Sequence, residues 1–129
     1  MGFKGKLIYH FVFATKYRRK CLLGLESDLY ASVFKLASTS KFRVLEVAVE
    51  GGDRLHLVVE CKQSVSPEAV ARWVKQRTTF DLWRVHAARL VKFYWGGKKI
   101  LWSGGYYCGT VGNVSTSTVI EYVKRQKVI

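Results

Sequence analysis

A chain of 129 residues with 49% hydrophobic and 14% aromatic types is long enough for one compact domain with its own core, and it sets disorder aside. With 22 Lys and Arg against 9 Asp and Glu, its formal net charge is +13, so a polyanion is the natural partner, through release of the counterions condensed on phosphates. The basic residues are interleaved with apolar positions along the whole chain, which argues against a membrane surface, and no run of 18 apolar residues crosses a bilayer.

The basic start carries no small-residue cleavage site, and Cys21, Cys61 and Cys108 form no CxxC pair. A soluble, cytoplasmic protein with free thiols is expected. One proline and no low-complexity stretch leave no linker, so residues 1–129 read as a single domain.

In "LIYHFVF" Leu7, Tyr9, Phe11 and Phe13 alternate with Ile8, His10 and Val12, and both faces look covered, as in a central strand. The spacing Leu25, Leu29, Val33, Leu36, Ala37 predicts an amphipathic helix ending near Lys41. "FRVLEVAVE" and "RLHLVVE" flank Gly51-Gly52-Asp53 and read as a β-hairpin.

The register of that hairpin follows from burial. A three-residue loop sets Glu50 opposite Arg54, Ala48 opposite His56 and Glu46 opposite Val58, while Leu45, Val47 and Val49 meet Val59, Leu57 and Leu55. One face is then aliphatic, whereas a two-residue loop would bury Glu46 and Glu50 among leucines. His56 is thereby expected on a polar face beside acidic residues.

"SPEAVARWVKQRTTFDLW" opens with Ser66 as N-cap and Pro67 at the first helical position, and the helix is expected to run, with a possible break, to about Phe93. "KKILWSGGYYCGTVG" has the composition of a late strand, and "NVSTSTVIEYVKRQ" predicts a last helix starting at Ser115, with Val119, Tyr122, Val123 and Gln126 on one face. The order βαββαβ predicts a ferredoxin-like α+β antiparallel sheet with helices on one face, plus a C-terminal helix carrying the tyrosine.

Phosphodiester chemistry needs a nucleophile and charge on the non-bridging oxygens, usually from a divalent metal. Tyr122 and Gln126, four apart on a helix, project together and are the candidate nucleophile and metal ligand, with a strand histidine as the other ligand. A tyrosine on an apolar stripe otherwise simply packs.

The segments "YHFVFATKYRRKCLLG", "LEVAVEGGDRLHLVVEC" and "LWSGGYYCGTVGNVSTSTVIEYVKRQ" together resemble the small single-tyrosine transposases of minimal insertion sequences, members of the HUH (His-hydrophobic-His) superfamily. The resemblance spans nearly the whole chain. It implies an enzyme that cuts and rejoins single-stranded DNA at hairpin-marked element ends through a 5′-phosphotyrosine. It also implies a homodimer in which the tyrosine acts in trans. Carried over, Tyr122 matches the nucleophile, Gln126 the helix ligand and His56 the second motif histidine, around Mg²⁺ or Mn²⁺.

The first motif histidine is Arg54 here. A guanidinium stays cationic and cannot coordinate a metal. Arg54 is expected to pair with Glu50 across the hairpin or to touch the scissile phosphate, and Glu46, diagonal to His56, is a candidate oxygen ligand. A DNA-binding relative with impaired cutting is the alternative; an RNA-binding module of the same fold is a further one, but its aromatic signatures are absent. Whichever holds, Lys16, Arg18, Arg19, Lys20, Arg72 and Lys75 are candidate phosphate contacts, and Tyr17 and Trp102 candidate base-stacking residues.

Overall fold

The computed structural model describes residues 6–112 and 116–126. Strand β1 (Lys6–Ala14) leads through a 3-10 turn (Lys16–Arg18) to helix α1 (Glu26–Ser38), followed by the hairpin strands β2 (Phe42–Glu50) and β3 (Arg54–Lys62). Helix α2 (Pro67–Leu90), strand β4 (Tyr107–Val111) and helix α3 (Thr116–Arg125) complete the chain. The four strands form one antiparallel sheet in the order β2-β3-β1-β4, so the ferredoxin-like order read from the sequence is the one built.

Alternation divides the sheet into two unlike faces. Phe11, Phe13, Leu55, Leu57 and Val59 point to the side covered by α1 and α2, where they join Leu29, Val33, Val74 and Leu82 in the main core. On the opposite side α3 lays Val123 on Ala48 and Val58, with Ile8, Leu45, Val119 and Ile120 around them.

The hairpin register is as expected at Glu50↔Arg54, Ala48↔His56 and Glu46↔Val58. It departs at Leu45. A bulge between Val44 and Glu46 makes Val44 the partner of Val59, and Leu45 turns to the α3 side, where its side chain gains cover.

Helix boundaries differ modestly from expectation. Helix α1 stops at Ser38, short of Lys41, because the chain must extend to bury Phe42 at the start of β2. Ser66 caps α2 as read, its hydroxyl accepting from the Ala69 amide at 3.1 Å, and the expected break falls at His86, whose φ of −118° is non-helical. The late strand is confined to Tyr107–Val111, since Lys75 Nζ donates to the carbonyls of Ser103 (2.8 Å) and Gly105 (3.1 Å) and holds the preceding segment in an irregular path. The predicted cap Ser115 lies outside the described residues.

Cys21 and Cys61 are buried and Cys108 is half-buried; all three are free thiols. Burial, with Cys108 and Glu60 nearby, pushes the Cys61 thiol up to about 11.

The turn between β2 and β3 depends on glycine. Gly52 has φ +77°, and a Cβ there would lie 2.6 Å from Leu23 Cγ, whereas Gly24, with φ +84°, has nothing within 4 Å. Both Gly52→Ala and Gly24→Ala should destabilise the fold, by roughly 1–2 kcal/mol from left-handed strain alone. Gly52→Ala should lose more, because Leu23 must also move. Urea midpoints of the two variants check this order.

Candidate functional site

The polar face of the sheet carries the site, and its residues come from β1, β2, β3 and α3. On β3, Arg54 and His56 share that face; Ala14 and Val12 of β1 stand opposite them, with His10 one pair further along opposite Val58. Diagonal neighbours in an antiparallel pair are within reach of long side chains. His10 uses that reach, its Nε2 lying 3.1 Å from His56 Nδ1 with the two rings stacked at 5.3 Å between centroids.

The other nitrogen of His56 is taken as well: Nε2 lies 2.7 Å from Glu50 Oε1. A carboxylate accepts, so His56 Nε2–H donates to Glu50, and a single hydrogen joins His56 Nδ1 to His10 Nε2. The result is a chain of three groups, Glu50, His56 and His10. His56 is 4% exposed, so both of its ring nitrogens are satisfied within the protein. Burial, reinforced by His56, lowers the His10 pKa and favours its neutral form.

Helix α3 brings Tyr122 onto this pair. Its ring meets His56 edge-on at 5.8 Å and His10 at 6.5 Å between centroids. At 43% exposure Tyr122 does not pack as a core residue, while Val123 and Gln126 on the same helix are buried. These contacts form within one chain, so exchange of α3 with a partner is not needed to bring the rings together.

Arg54 pairs as expected with Glu50, at 3.6 Å, and also with Asp53, at 3.3 Å. Glu46 is half-buried on the same face. The amide of Gln126 donates to the Tyr122 carbonyl at 3.1 Å, closing a turn of its own helix.

The donor set does not fit a divalent ion as built. The first motif position is a cation, both nitrogens of His56 are engaged, and among the described residues no three His, Cys, Asp or Glu side chains gather as a metal site. Arg54 instead supplies a fixed positive charge beside the histidines.

The candidate DNA contacts fall in two places. Lys16, Tyr17, Arg18, Arg19 and Lys20 form the exit of β1, with Tyr17 67% exposed, and Arg72 is exposed on α2. Lys75 is occupied by the Ser103 and Gly105 carbonyls, and burial lowers its pKa. Trp102 is only 8% exposed, its indole N–H donating to Thr78 Oγ1 at 2.9 Å, a placement suited to core packing rather than to stacking on a base. Beside it lies a cavity of about 620 Å³ lined by Lys16, Lys75, Phe80, Lys99 and Trp102, which shares no residue with the Tyr122 cluster.

Sequence reasoning missed His10 and Trp95. The alternation of β1 places His10 on the face away from Phe11 and Phe13, but its partner becomes evident only from the pairing of β1 with β3, a non-local contact. Trp95 is 68% exposed in an irregular segment that carries no periodic signal.

Comparison with known proteins agrees with the fold. Residues 4–126 match the family described as "Transposase IS200 like". The chain is 29% identical over 119 residues to the transposase for insertion sequence element IS200 of Salmonella typhimurium, covering 92% of this chain and 75% of that protein, and matches the Salmonella typhi protein of the same name to the same extent. The fold is similar to that of a candidate transposase from Deinococcus radiodurans R1, with TM-score 0.73 and 22% identity over 94% of this chain and 91% of the other. It is also similar to a REP-associated tyrosine transposase bound to a REP hairpin, with TM-score 0.67 and 15% identity over 95% of this chain and 67% of the other. With its sheet order, its tyrosine helix and a family match over nearly its whole length, the chain belongs to the IS200-like transposases.

Proposed function

We propose that this protein cuts and rejoins single-stranded DNA at hairpin-marked ends, with Tyr122 as the nucleophile. The observation that carries the reading is the half-exposed Tyr122 ring set against the His10–His56 pair on the polar sheet face. In the cutting step the Tyr122 oxygen bonds to phosphorus, the bond to the 3′-oxygen breaks, and the DNA is left with a 5′-phosphotyrosine and a 3′-hydroxyl. A neutral imidazole is a suitable acceptor for the phenol proton, and the lowered pKa of His10 keeps one beside the ring. Rejoining reverses these bonds. Hairpin recognition is supported by the hairpin carried by the REP-associated relative and by the +13 charge of this chain.

The Mg²⁺ or Mn²⁺ implied by the resemblance would neutralise charge on the scissile phosphate, but His56, Gln126 and Glu46 do not form its site as they stand. Arg54 is the specific observation that favours a second reading, a DNA-binding relative whose cutting is impaired.

Labelled single-stranded hairpin DNA, incubated with the protein with and without Mn²⁺, should give a covalent adduct that survives denaturation and disappears in Tyr122→Phe. Tight binding with no adduct in either condition selects the impaired relative.

Position 54 allows a direct test of the donor set. Arg54→His would place two imidazoles on one strand face and free Glu50 from its guanidinium partner. Calorimetric titration should then show Mn²⁺ binding at least about tenfold tighter than in the native chain. Equal affinity in the two proteins would overturn the account of the native donor set.

The resemblance further implies a homodimer with the tyrosine acting in trans, an alternative to the arrangement within one chain, in which Tyr122 meets the His10 and His56 of its own chain. In the trans arrangement, mixing Tyr122→Phe chains with His56→Ala chains should restore cutting, because one of the two sites in each mixed dimer is then whole. No recovery would assign the reaction to the arrangement formed within a single chain.

A further inference from the structure

We propose that Tyr17 and Trp95, which share the guanidinium of Arg19, form a stacking platform for unpaired bases of the DNA, outside the Tyr122 site. The inference rests on the DNA-binding part of the proposed function and adds the kind of base contact made.

Exposure is the first observation. Trp95 at 68% and Tyr17 at 67% are the most exposed large hydrophobic side chains among the described residues. By contrast Trp83 and Trp102 are buried, with their indole N–H groups donating to Ile100 O and Thr78 Oγ1, each at 2.9 Å. Leaving two large rings in water forgoes the burial that stabilises the other aromatics.

The second observation is convergence. Tyr17 leaves β1 and Trp95 follows α2, yet the Arg19 guanidinium carbon lies 5.4 Å from one ring centroid and 5.3 Å from the other. Arg19 is itself fixed, its Nη1 donating to Phe93 O at 2.7 Å. The rings are therefore oriented by a tethered cation.

The third observation is backbone strain. Tyr17 and Arg18 have φ of 60° and 53°, left-handed values that glycine adopts without cost and other residues do not. The conformation is held from several sides: Thr15 Oγ1 donates to Arg19 O at 2.7 Å, Tyr94 Oη to Lys16 O at 2.7 Å, and Arg18 Nε to Asp53 Oδ2 at 3.0 Å. All this scaffolding turns a tyrosine outward, where it earns no packing. Strain held in place around an exposed side chain is a mark of a functional surface.

Charge selects the partner. Lys16 Nζ lies 5.4 Å from the Tyr17 centroid, and Lys98 and Lys99 are exposed just beyond Trp95. Aromatic faces interleaved with cations suit single-stranded nucleic acid, whose bases offer free faces beside phosphates. A duplex presents its bases already stacked and offers such a platform only its backbone.

The test follows tryptophan fluorescence as the native protein is titrated with oligothymidylate and, separately, with a blunt duplex of equal length. Oligothymidylate should quench the emission. Trp95→Ala should abolish most of that quench and weaken oligothymidylate binding by about five- to a hundredfold, leaving duplex binding and the salt dependence of both unchanged. Tyr17→Gly is the second variant: it relieves the strained backbone, so it should raise the urea midpoint while weakening oligothymidylate binding. Equal losses on duplex and single strand in Trp95→Ala, or unchanged single-strand affinity in both variants, would overturn the platform. Tyr122→Phe should quench like the native protein, so a missing covalent adduct bears on the cutting reaction and a missing quench on the platform.

Discussion

The site depends on one strand and its pairing on both sides. Strand β3 pairs with β2 and β1 at once, and every residue of the polar cluster is placed by that double register: Glu50 and Ala48 on one flank, Val12 and His10 on the other. A slip of one residue in either pairing would turn His56 into the aliphatic core and bring Leu55 or Leu57 to the polar face. Burial of Leu55, Leu57 and Val59 against α1 and α2 forbids the slip. The energy that fixes the chemical face is thus supplied by the opposite, apolar face.

This explains what could be read from the sequence and what could not. The β2–β3 hairpin is local, and its hydrophobic alternation predicts Glu50 opposite Arg54 and Ala48 opposite His56. Only the bulge at Leu45 escaped, since whether that side chain turns over depends on α3, which covers the far face. Tyr122 and Gln126 were legible as one helical face, but the exposure of Tyr122 beside the buried Gln126 was not, because both fit an apolar stripe equally well. His10 needed the β1–β3 pairing across a separation of 46 residues, and no local pattern carries that.

The histidine pair changes the meaning of Arg54. With His10 and Glu50 holding both nitrogens of His56, the buried imidazole is satisfied without a metal, and the arginine shares Glu50 with it. The charges are matched in pairs: two guanidiniums, of Arg54 and Arg18, face two carboxylates, of Glu50 and Asp53, beside a His10 whose pKa is lowered. Arginine at position 54 is therefore accommodated by partners already present in the hairpin and its turn. Its partly exposed pairing with Glu50 contributes little stability by itself, which leaves that position open to replacement at small structural cost.

Asp53 joins the exit of β1 to the start of β3. Its backbone carbonyl accepts from the Thr15 amide at 3.0 Å, while from a side chain only 10% exposed Oδ2 accepts from Arg18 Nε at 3.0 Å and Oδ1 faces Arg54 Nε at 3.3 Å. One carboxylate thus ties the strained exit of β1, which carries Tyr17, to Arg54 at the start of β3. A change in the hold of Arg18 on Asp53 alters the charge around Arg54 as well, because both guanidiniums draw on the same group. The turn that gives β3 its register therefore also sets where the basic loop stands, and the positions of the exposed rings and of the tyrosine site are fixed together.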